Sequence, residues 1–294
     1  MSDTPLYSDV DLPPERLLEW RRTLLKRWAK SAMRFLTAID PTTRRSDGRP
    51  SYVWITTDER EKDNLGANTE KPFPSWAYLA QMFALYNRHD MVGIEKSRQV
   101  FATTGTLAYA FHLGAFHKNQ KIQLSKATQP EADELLYEKI RVPHSRMPPW
   151  LQQALEITPT PANRIRFRST SVPRWPSTGS SISAVAQNAA VRGFRGGTSS
   201  LTIIDEAALQ NNLSAMLRAA APMAARVICL TSADGSEAGG EAFVKYFDCS
   251  DDRRKHLKPL AIPVDDFDES AEYDVSLEDR MKDEAFLSQA MESL

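Results

Sequence analysis

Apolar and polar positions follow two different patterns in different parts of the chain. Near the N-terminus the apolar positions recur every three to four residues, with arginines and lysines on the remaining faces, which predicts one amphipathic helix from Pro14 to Ile39. The apolar residues that carry this period are Leu17, Trp20, Leu24 and Trp28. Residues 40–75 are polar and rich in Pro, Thr and Asp, so we expect a loop there with a short strand at Tyr52 to Ile55.

Farther along, short apolar runs alternate with longer helical patterns. The predicted strands are Met91 to Ile94, Ile122 to Leu124, Ile165 to Phe167, Ile182 to Val185, Leu201 to Ile204 and Val227 to Thr231. The predicted helices are Thr103 to Phe116, Thr128 to Val142 and Glu206 to about Ala220. Strands that alternate with helices are typical of a mainly parallel sheet covered by helices on both faces. The sequence therefore predicts an α/β fold.

Composition limits the class of protein without identifying it. The 294 residues, 41% of them hydrophobic, suffice for one large domain or two modest ones. Cys229 and Cys249 are the two cysteines, which excludes a disulfide framework or a multi-cysteine metal site and favours a reducing compartment. The apolar run from Ala219 to Leu230 is short and contains Arg226, and the N-terminus has no signal-peptide pattern, so neither secretion nor membrane spanning is expected.

The formal charge of −1 results from cancellation between separate regions. The stretch from Pro161 to Ile204 contains six arginines and no lysine, aspartate or glutamate, whereas Asp265 to Glu284 contains ten acidic and two basic residues. Alternate residues of a strand share one face, so the basic stretch predicts a surface for DNA phosphates. A solvated sheet edge is an equal alternative. The arginines assigned to DNA are Arg164, Arg166, Arg168 and Arg192.

Two adjacent carboxylates follow the apolar run Leu201 to Ile204. Side chains at the carboxyl end of a parallel strand lie in the crevice where α/β sheets bind ligands. There Asp205 is suited to hold Mg²⁺ through its water shell, and Glu206 is suited to orient and deprotonate a water molecule. The alternative is that both residues only complement the dipole of a helix that begins at Glu206.

A second candidate segment, Val92 to Thr104, has the strand–loop–helix order in which backbone N–H groups surround a phosphate. It departs from the standard P-loop pattern, because Phe101 stands where the second glycine would be and Ala102 where the lysine would be. Lys96 at the start of the loop is placed to supply the missing ammonium, and Thr103 is placed to bind Mg²⁺. An ordinary loop with surface cations remains the alternative.

Three stretches in this order resemble the Walker A, Walker B and coupling motifs of the large terminase subunit of tailed bacteriophages. They are Lys96-Ser97-Arg98-Gln99-Val100-Phe101-Ala102-Thr103, Ile204-Asp205-Glu206-Ala207 and Leu230-Thr231-Ser232-Ala233. Several members of that family have a deviant Walker A motif with the lysine displaced to the start of the loop, as Lys96 is here. The stretches Ser181 to Ala184 and Arg192 to Gly196 also resemble the family's approach to Walker B. The resemblance covers roughly residues 75–250.

The resemblance implies an α/β P-loop NTPase fold of the RecA-like, additional-strand class, with a mainly parallel sheet sandwiched by helices. It implies an N-terminal helical extension at 1–60, a P-loop ATPase core at 61–250 and a small C-terminal linker or lid subdomain at 251–294. In the family a nuclease domain follows the ATPase, but only about thirty residues follow Pro263 here. We therefore expect the ATPase half alone, without DNA cleavage, and interpret the acidic end as a solvated linker.

The resemblance also implies the residues that act on ATP and Mg²⁺. Thr103 and Asp205 would bind the metal, Glu206 would polarise the attacking water, and Arg98 would sense the γ-phosphate. The ATP-binding residues would be Lys96, Ser97, Arg98, Gln99, Val100, Phe101, Ala102 and Thr103, with Gln81 at the adenine edge. The helix around Gln81 has a second interpretation, because Trp76, Leu79 and Phe83 have the spacing of core residues.

Two further roles follow from the resemblance. Arg195 matches an arginine that enters a neighbouring subunit's site, although Arg192 and Arg195 are nearly as well explained by contact with DNA phosphates or solvent. Thr231 and Ser232 match the coupling motif that reports hydrolysis to a moving subdomain, although a plain turn at the strand end would also explain them.

The implied activity is Mg²⁺-dependent ATP hydrolysis that drives double-stranded DNA into a viral procapsid. The implied partners are DNA, the portal protein and the small terminase subunit, with a ring, expected to be a pentamer, on the portal and a monomer in solution. The implied location is the host cytoplasm and, transiently, the portal vertex. Two other functions stay open: a non-catalytic module with a degenerate P-loop that docks DNA or portal protein, and a fragment of a superfamily 2 helicase.

Overall fold

The computed structural model describes residues 14–38, 52–56, 70–96, 101–158, 161–168, 178–232, 238–247 and 260–262. Some of the residues singled out above lie outside this part of the chain. They are Ser97, Arg98, Gln99 and Val100 of the loop, the side chain of Arg195, Ala233, Cys249 and the acidic stretch Asp265 to Glu284.

The described residues form ten strands and ten α-helices. The strands are β1 Trp54–Thr56, β2 Glu70–Pro72, β3 Met91–Lys96, β4 Lys121–Lys126, β5 Ile157–Thr158, β6 Arg164–Phe167, β7 Ser181–Ala186, β8 Leu201–Ile204, β9 Val227–Ser232 and β10 Leu260–Ile262. The helices are α1 Pro14–Trp28, α2 Ala32–Leu36, α3 Ala77–Arg88, α4 Ala102–Phe116, α5 Gln129–Leu136, α6 Val142–Ser145, α7 Pro149–Ala154, α8 Gln187–Arg195, α9 Leu213–Ala220 and α10 Ala238–Phe247. A π-turn spans Tyr137–Arg141 and a 3₁₀ turn spans Ala207–Leu209.

One eight-stranded sheet, in the order β10-β3-β9-β8-β4-β7-β6-β5, organises the chain. The strands from β10 to β7 are parallel, and β6 and β5 add an antiparallel edge. Strand β9 lies between β3, which leads into the candidate phosphate loop, and β8, which ends in Asp205. That inserted strand is what the additional-strand class of P-loop fold requires. The predicted α/β class and mainly parallel sheet are confirmed.

Both faces of the sheet are covered by helices. Alternate residues of β9 show this, because Ile228 and Leu230 belong to a large apolar cluster with α1–α4, while Val227 and Cys229 belong to a smaller one with α8–α10. The apolar run from Ala219 to Leu230 is divided between α9 and β9. Within the described part of the chain, no helix has both the length and the apolar character needed to cross a bilayer.

The structure divides two of the predicted helices into shorter elements. The single helix expected from Pro14 to Ile39 is instead α1 and α2, because Ser31 begins a new helix by accepting a hydrogen bond from the N–H of Arg34 at 3.3 Å. The predicted apolar stripe is nevertheless buried at Trp20, Leu24 and Trp28. The helix expected from Thr128 to Val142 is interrupted by the π-turn.

Helix α4 packs so closely on β6 that Gly114 leaves no room for a side chain. A Cβ atom added there would meet three ring atoms of Phe167, the farthest at 2.9 Å, and Phe167 is 3% exposed. We expect Gly114→Ala to lower the free energy of unfolding by about 1–3 kcal/mol in urea titrations, since the ring cannot move without disturbing the core.

The matched control is Gly193→Ala in α8, where an added Cβ meets no atom within 4 Å. Because glycine is unfavourable inside a helix, this control should stabilise the protein by up to about 1 kcal/mol. An equal response of the two variants would contradict the close packing of α4 on β6.

Candidate active site

The parallel strands place four separate segments at one edge of the sheet. The carboxyl ends of β3, β9, β8 and β4 lie side by side, with Lys96 opposite Ser232 and Ser125 opposite Ile204 in the strand register. Helix α4 begins at Ala102, shortly after β3. Ligands of α/β sheets bind at this edge, so the candidate site forms where the topology favours it.

The central contact joins the start of α4 to the end of β8. The hydroxyl Oγ1 of Thr103 donates a hydrogen bond of 2.9 Å to Oδ1 of Asp205, although the two residues are 102 positions apart. Asp205 is 1% exposed, and it extends the all-buried strand β8. The structure thus brings together the two residues that the sequence assigned to a metal.

These two side chains suit Mg²⁺, which prefers hard oxygen ligands and is usually bound through one or two protein groups plus phosphates and water. A hydroxyl and a carboxylate at hydrogen-bond distance supply such oxygens. Among the described residues no group of three or more His, Cys, Asp or Glu side chains could hold a metal ion.

Phe101, which replaces the expected glycine, adopts a backbone conformation that favours glycine. Its φ and ψ are 57° and 7°, in the left-handed region. Its ring makes edge-to-face contacts with Phe73 and Trp76, with ring centroids 5.7 and 5.6 Å away. The phenyl ring thus packs in an aromatic cluster, which stabilises the left-handed backbone conformation at Phe101. Ala102, in the position of the usual lysine, is 1% exposed within the first turn of α4.

The residues of the segment that carries Gln81, proposed for the adenine edge, differ in burial. Leu79 and Phe83 are buried in the large cluster, as the alternative interpretation of this helix expected. Trp76 is partly buried against Phe101, next to the start of α4. Gln81 lies on the exposed side of α3. No contact between its side chain and the described residues of the site is observed.

The prediction that a helix begins at Glu206 is wrong. Glu206 has φ 51° and ψ 45°, a 3₁₀ turn follows, and α9 starts only at Leu213. The interpretation of Glu206 as a helix N-terminal carboxylate therefore fails. A left-handed conformation in a non-glycine residue is strained, and such strain is common at functional sites.

Two buried polar side chains hold the turn that carries Glu206. Gln210 donates from Nε2 to the carbonyl oxygen of Asp205, and its Oε1 accepts from the Ser125 hydroxyl at 3.2 Å. Thr231 Oγ1, at the end of β9, accepts from the Ala208 N–H at 3.0 Å. Thr231 thus links the end of β9 to the turn after Asp205, which is where a coupling residue would be needed.

Helix α10 packs directly on the same turn. A Cβ atom at Gly239 would overlap the carbonyl oxygen of Ala208, so only glycine permits this approach. Ser232 is partly buried and pairs in register with Lys96. The turn at Ala208 therefore contacts both β9 and α10, so a shift of either element would displace the turn.

Lys126 belongs to this site, and the sequence did not reveal it. Its Nζ lies 3.1 Å from Oδ2 of Asp205 and 3.3 Å from Oε2 of Glu206, and its side chain is 15% exposed. Burial by itself would lower the pKa of Lys126, but the two carboxylates outweigh burial and raise it. The ammonium therefore stays charged and balances the acidic pair. The available signal was a lysine two residues after the predicted strand Ile122 to Leu124.

The arginines assigned to DNA are exposed in the structure. Strand β6 buries Ile165 and Phe167 and exposes Arg164 and Arg166, which confirms the predicted alternation. Arg168 follows on the same exposed side. The stretch Arg192 to Gly196 forms the end of α8, where Arg192 is exposed and Gly196 ends the helix. The side chain of Arg195 lies outside the described residues.

Comparison with known proteins finds related folds rather than close relatives. No family model matches the sequence, and no curated protein matches it. The large terminase of bacteriophage HK97 is 13% identical, with 81% of this chain and 44% of that chain covered and a TM-score of 0.48. The large terminase of a thermophilic bacteriophage, in complex with ADP, is 14% identical, with 66% and 46% covered and a TM-score of 0.46.

A helicase domain gives a similar result. The Hef helicase domain of Pyrococcus furiosus is 14% identical, with 65% of this chain and 39% of that chain covered and a TM-score of 0.40. This chain thus spans less than half the length of each of these three proteins. The likeness concerns the fold alone, and the functional argument rests on the geometry of the site.

Proposed function

We propose that the chain is a Mg²⁺-dependent ATPase. The observation that carries this proposal is the hydrogen bond between Thr103 and Asp205 at the carboxyl edge of a sheet in which β9 separates β3 from β8. A hydroxyl at the start of a helix and a carboxylate at the end of a buried strand, joined in this way, are the two protein ligands that a nucleotide-bound Mg²⁺ takes in P-loop enzymes.

Each residue of the proposed site has a physical role. The N–H groups at the start of α4 and the ammonium of Lys96 attract the phosphates, because a helix N-terminus and a cation both favour negative charge. Mg²⁺ would supply neutralisation of charge on the phosphate oxygens. Glu206, which is 38% exposed at the mouth of the site, accepts the proton of the attacking water.

Lys126 affects both carboxylates of the proposed site. In the structure it contacts Asp205 and Glu206 together, so it competes with a metal ion for the first and with a water proton for the second. Thr103 and Asp205 would hold Mg²⁺, which would supply at Asp205 the positive charge that Lys126 supplies in this structure. An ammonium no longer held by both carboxylates would leave Glu206 able to accept a proton.

We further propose that hydrolysis serves DNA packaging as part of a motor of the large-terminase type. The order of the three motifs, the additional strand β9 and the exposed arginines of β6 support this proposal. The partners would be double-stranded DNA, the portal protein, the small terminase subunit and further copies of the chain in a ring. Contact with the DNA backbone would be independent of sequence and sensitive to salt.

Release of inorganic phosphate tests the enzymatic part of the proposal. We expect the chain to release phosphate from ATP slowly in Mg²⁺ and not at all in EDTA, because the metal neutralises the transferred phosphoryl group. Duplex DNA should raise the rate, and added salt should remove that stimulation. Hydrolysis that persists unchanged in EDTA would show that the metal role of Thr103 and Asp205 is wrong.

A further inference from the structure

A cavity of about 580 Å³ lies at the opposite end of α4 from the candidate active site. It is bounded by the segment around α2, by α3, by the second half of α4 and by residues that precede β4 and β9. Leu113, on its wall, is ten residues after Thr103 on the same helix, which corresponds to about 15 Å along the axis. The cavity is thus separate from the site described above.

The polar part of the cavity is cationic. Lys30, Arg34 and Arg226 line it, and none of its lining residues is an aspartate or glutamate. Arg226 donates from Nη1 to the hydroxyl of Tyr109 at 3.2 Å, and that hydroxyl donates to Oδ1 of Asn87 at 2.8 Å. This chain of hydrogen bonds fixes the guanidinium in the wall before any ligand arrives, which lowers the entropic cost of binding an anion.

A buried, neutral imidazole forms part of the cavity wall. His112 is 3% exposed and lines the cavity, and its Nε2 bonds to the carbonyl oxygen of Trp28 at 2.8 Å, so Nε2 carries the proton. Burial lowers the pKa of His112 to about 4, so the ring is neutral and Nδ1 is an acceptor. Nδ1 has no hydrogen-bond partner among the described residues and is itself enclosed by protein. The ring therefore contributes an uncharged surface to the cavity rather than a group that bonds to a ligand.

The remaining wall is apolar or carries amides. Met33, Phe83 and Leu113 supply a surface for a flat ring, and Asn87 and Gln120 supply side-chain amides. The volume falls within the range of about 300–1,000 Å³ that is usual for sites of small ligands. Several cations in the wall match a multiply charged anion better than a single carboxylate. A cavity of this size admits one small molecule and excludes a DNA duplex.

We propose that this cavity is a second nucleotide site, which binds the phosphates of a nucleoside diphosphate at Lys30 and Arg226 and its base against Phe83. The apolar wall accounts for the base of such a ligand, and the fixed guanidinium of Arg226 together with Lys30 accounts for its phosphates. The site is independent of Thr103 and Asp205, and its occupancy does not require hydrolysis.

Titration of the full chain with ADP and Mg²⁺ tests this proposal, followed by photolabelling with 8-azido-ADP and peptide mapping. We expect two binding events per chain and label on the cavity residues Met33, Phe83 or Leu113, mapped to the residue, in addition to label near Thr103. Lys30→Glu should weaken one event about tenfold, since it replaces an attraction by a repulsion. Arg226→Gln should weaken the same event, and both variants should leave the other event unchanged.

Lys118→Glu is the matched control, because Lys118 is an exposed lysine near this end of α4 that does not line the cavity. Circular dichroism melts identify any variant that fails to fold. Because Lys30 is exposed, we expect Lys30→Glu to fold. A single binding event with label only near Thr103, or equal affinities for Lys30→Glu and Lys118→Glu, would overturn the second site and leave the ATPase proposal standing. Label confined to the cavity would contradict the ATPase proposal alone.

Discussion

Replacing Glu206 with glutamine is expected to lower the rate of ATP hydrolysis by about 10²- to 10⁴-fold, the usual contribution of a general base. Glutamine keeps the shape and the hydrogen-bonding capacity of the side chain but cannot accept the proton of water. The side chain of Glu206 is 38% exposed and pairs with Lys126, so nucleotide binding should stay close to that of the wild type. Steady-state phosphate release and calorimetry with ADP measure the two effects separately.

Glu134→Gln provides the control for Glu206→Gln. Glu134 is an exposed glutamate of α5, away from the carboxyl edge of β8, so its loss should leave turnover unchanged. Turnover by Glu206→Gln within a few-fold of the wild type would assign the base to another residue. Loss of nucleotide binding together with turnover would show that Glu206 is needed for the structure of the turn.

Replacing Lys126 with methionine is expected to destabilise the metal-free protein by about 3 kcal/mol, near the lower end for removal of one partner of a buried ion pair. The reason is that Asp205 is 1% exposed and would lose the ammonium that lies 3.1 Å away. Saturating Mg²⁺ and ADP should restore much of this stability, because the metal then compensates the same carboxylate. Urea titrations in EDTA and in Mg²⁺–ADP measure the difference.

Lys121→Met is the matched control, since Lys121 is the exposed lysine at the other end of the same strand. Its replacement should change the free energy of unfolding little in either buffer. If the two variants lose equal stability in EDTA, or if Mg²⁺–ADP restores neither, then Lys126 does not act as the counter-ion of Asp205.

Periodicity located the sheet more accurately than the helices. Strand β8 begins and ends where the apolar run predicted, at Leu201 and Ile204, because a strand buried on both faces is mostly apolar, with the small Thr202 as its one polar residue. The helix expected at Glu206 does not form because the nearby Gln210 bonds back to the Asp205 carbonyl and the more distant Thr231 accepts from the Ala208 N–H. The contact with Thr231 joins separate segments and is not visible in local sequence.

The residues of the candidate site were likewise only partly predictable from the sequence. Thr103 and Asp205 were found because each follows a recognisable local pattern, and the structure brings them within 2.9 Å. Lys126 was missed because its role depends on β4 lying next to β8, and strand order is not encoded in local periodicity. Phe101 departs from the glycine of the standard pattern, and the contacts of its ring with the distant Phe73 and Trp76 could not be predicted from the local sequence.

The heat of binding of a non-hydrolysable ATP analogue, measured by calorimetry with and without Mg²⁺, tests the central claim most directly. We expect the wild type to bind the analogue more tightly in Mg²⁺, and Asp205→Asn to lose that dependence because the amide no longer supplies an anionic ligand. The absence of any binding heat in the wild type would indicate a degenerate loop that only docks a partner, and it would contradict the assignment of Thr103, Asp205 and Glu206 to an ATPase site.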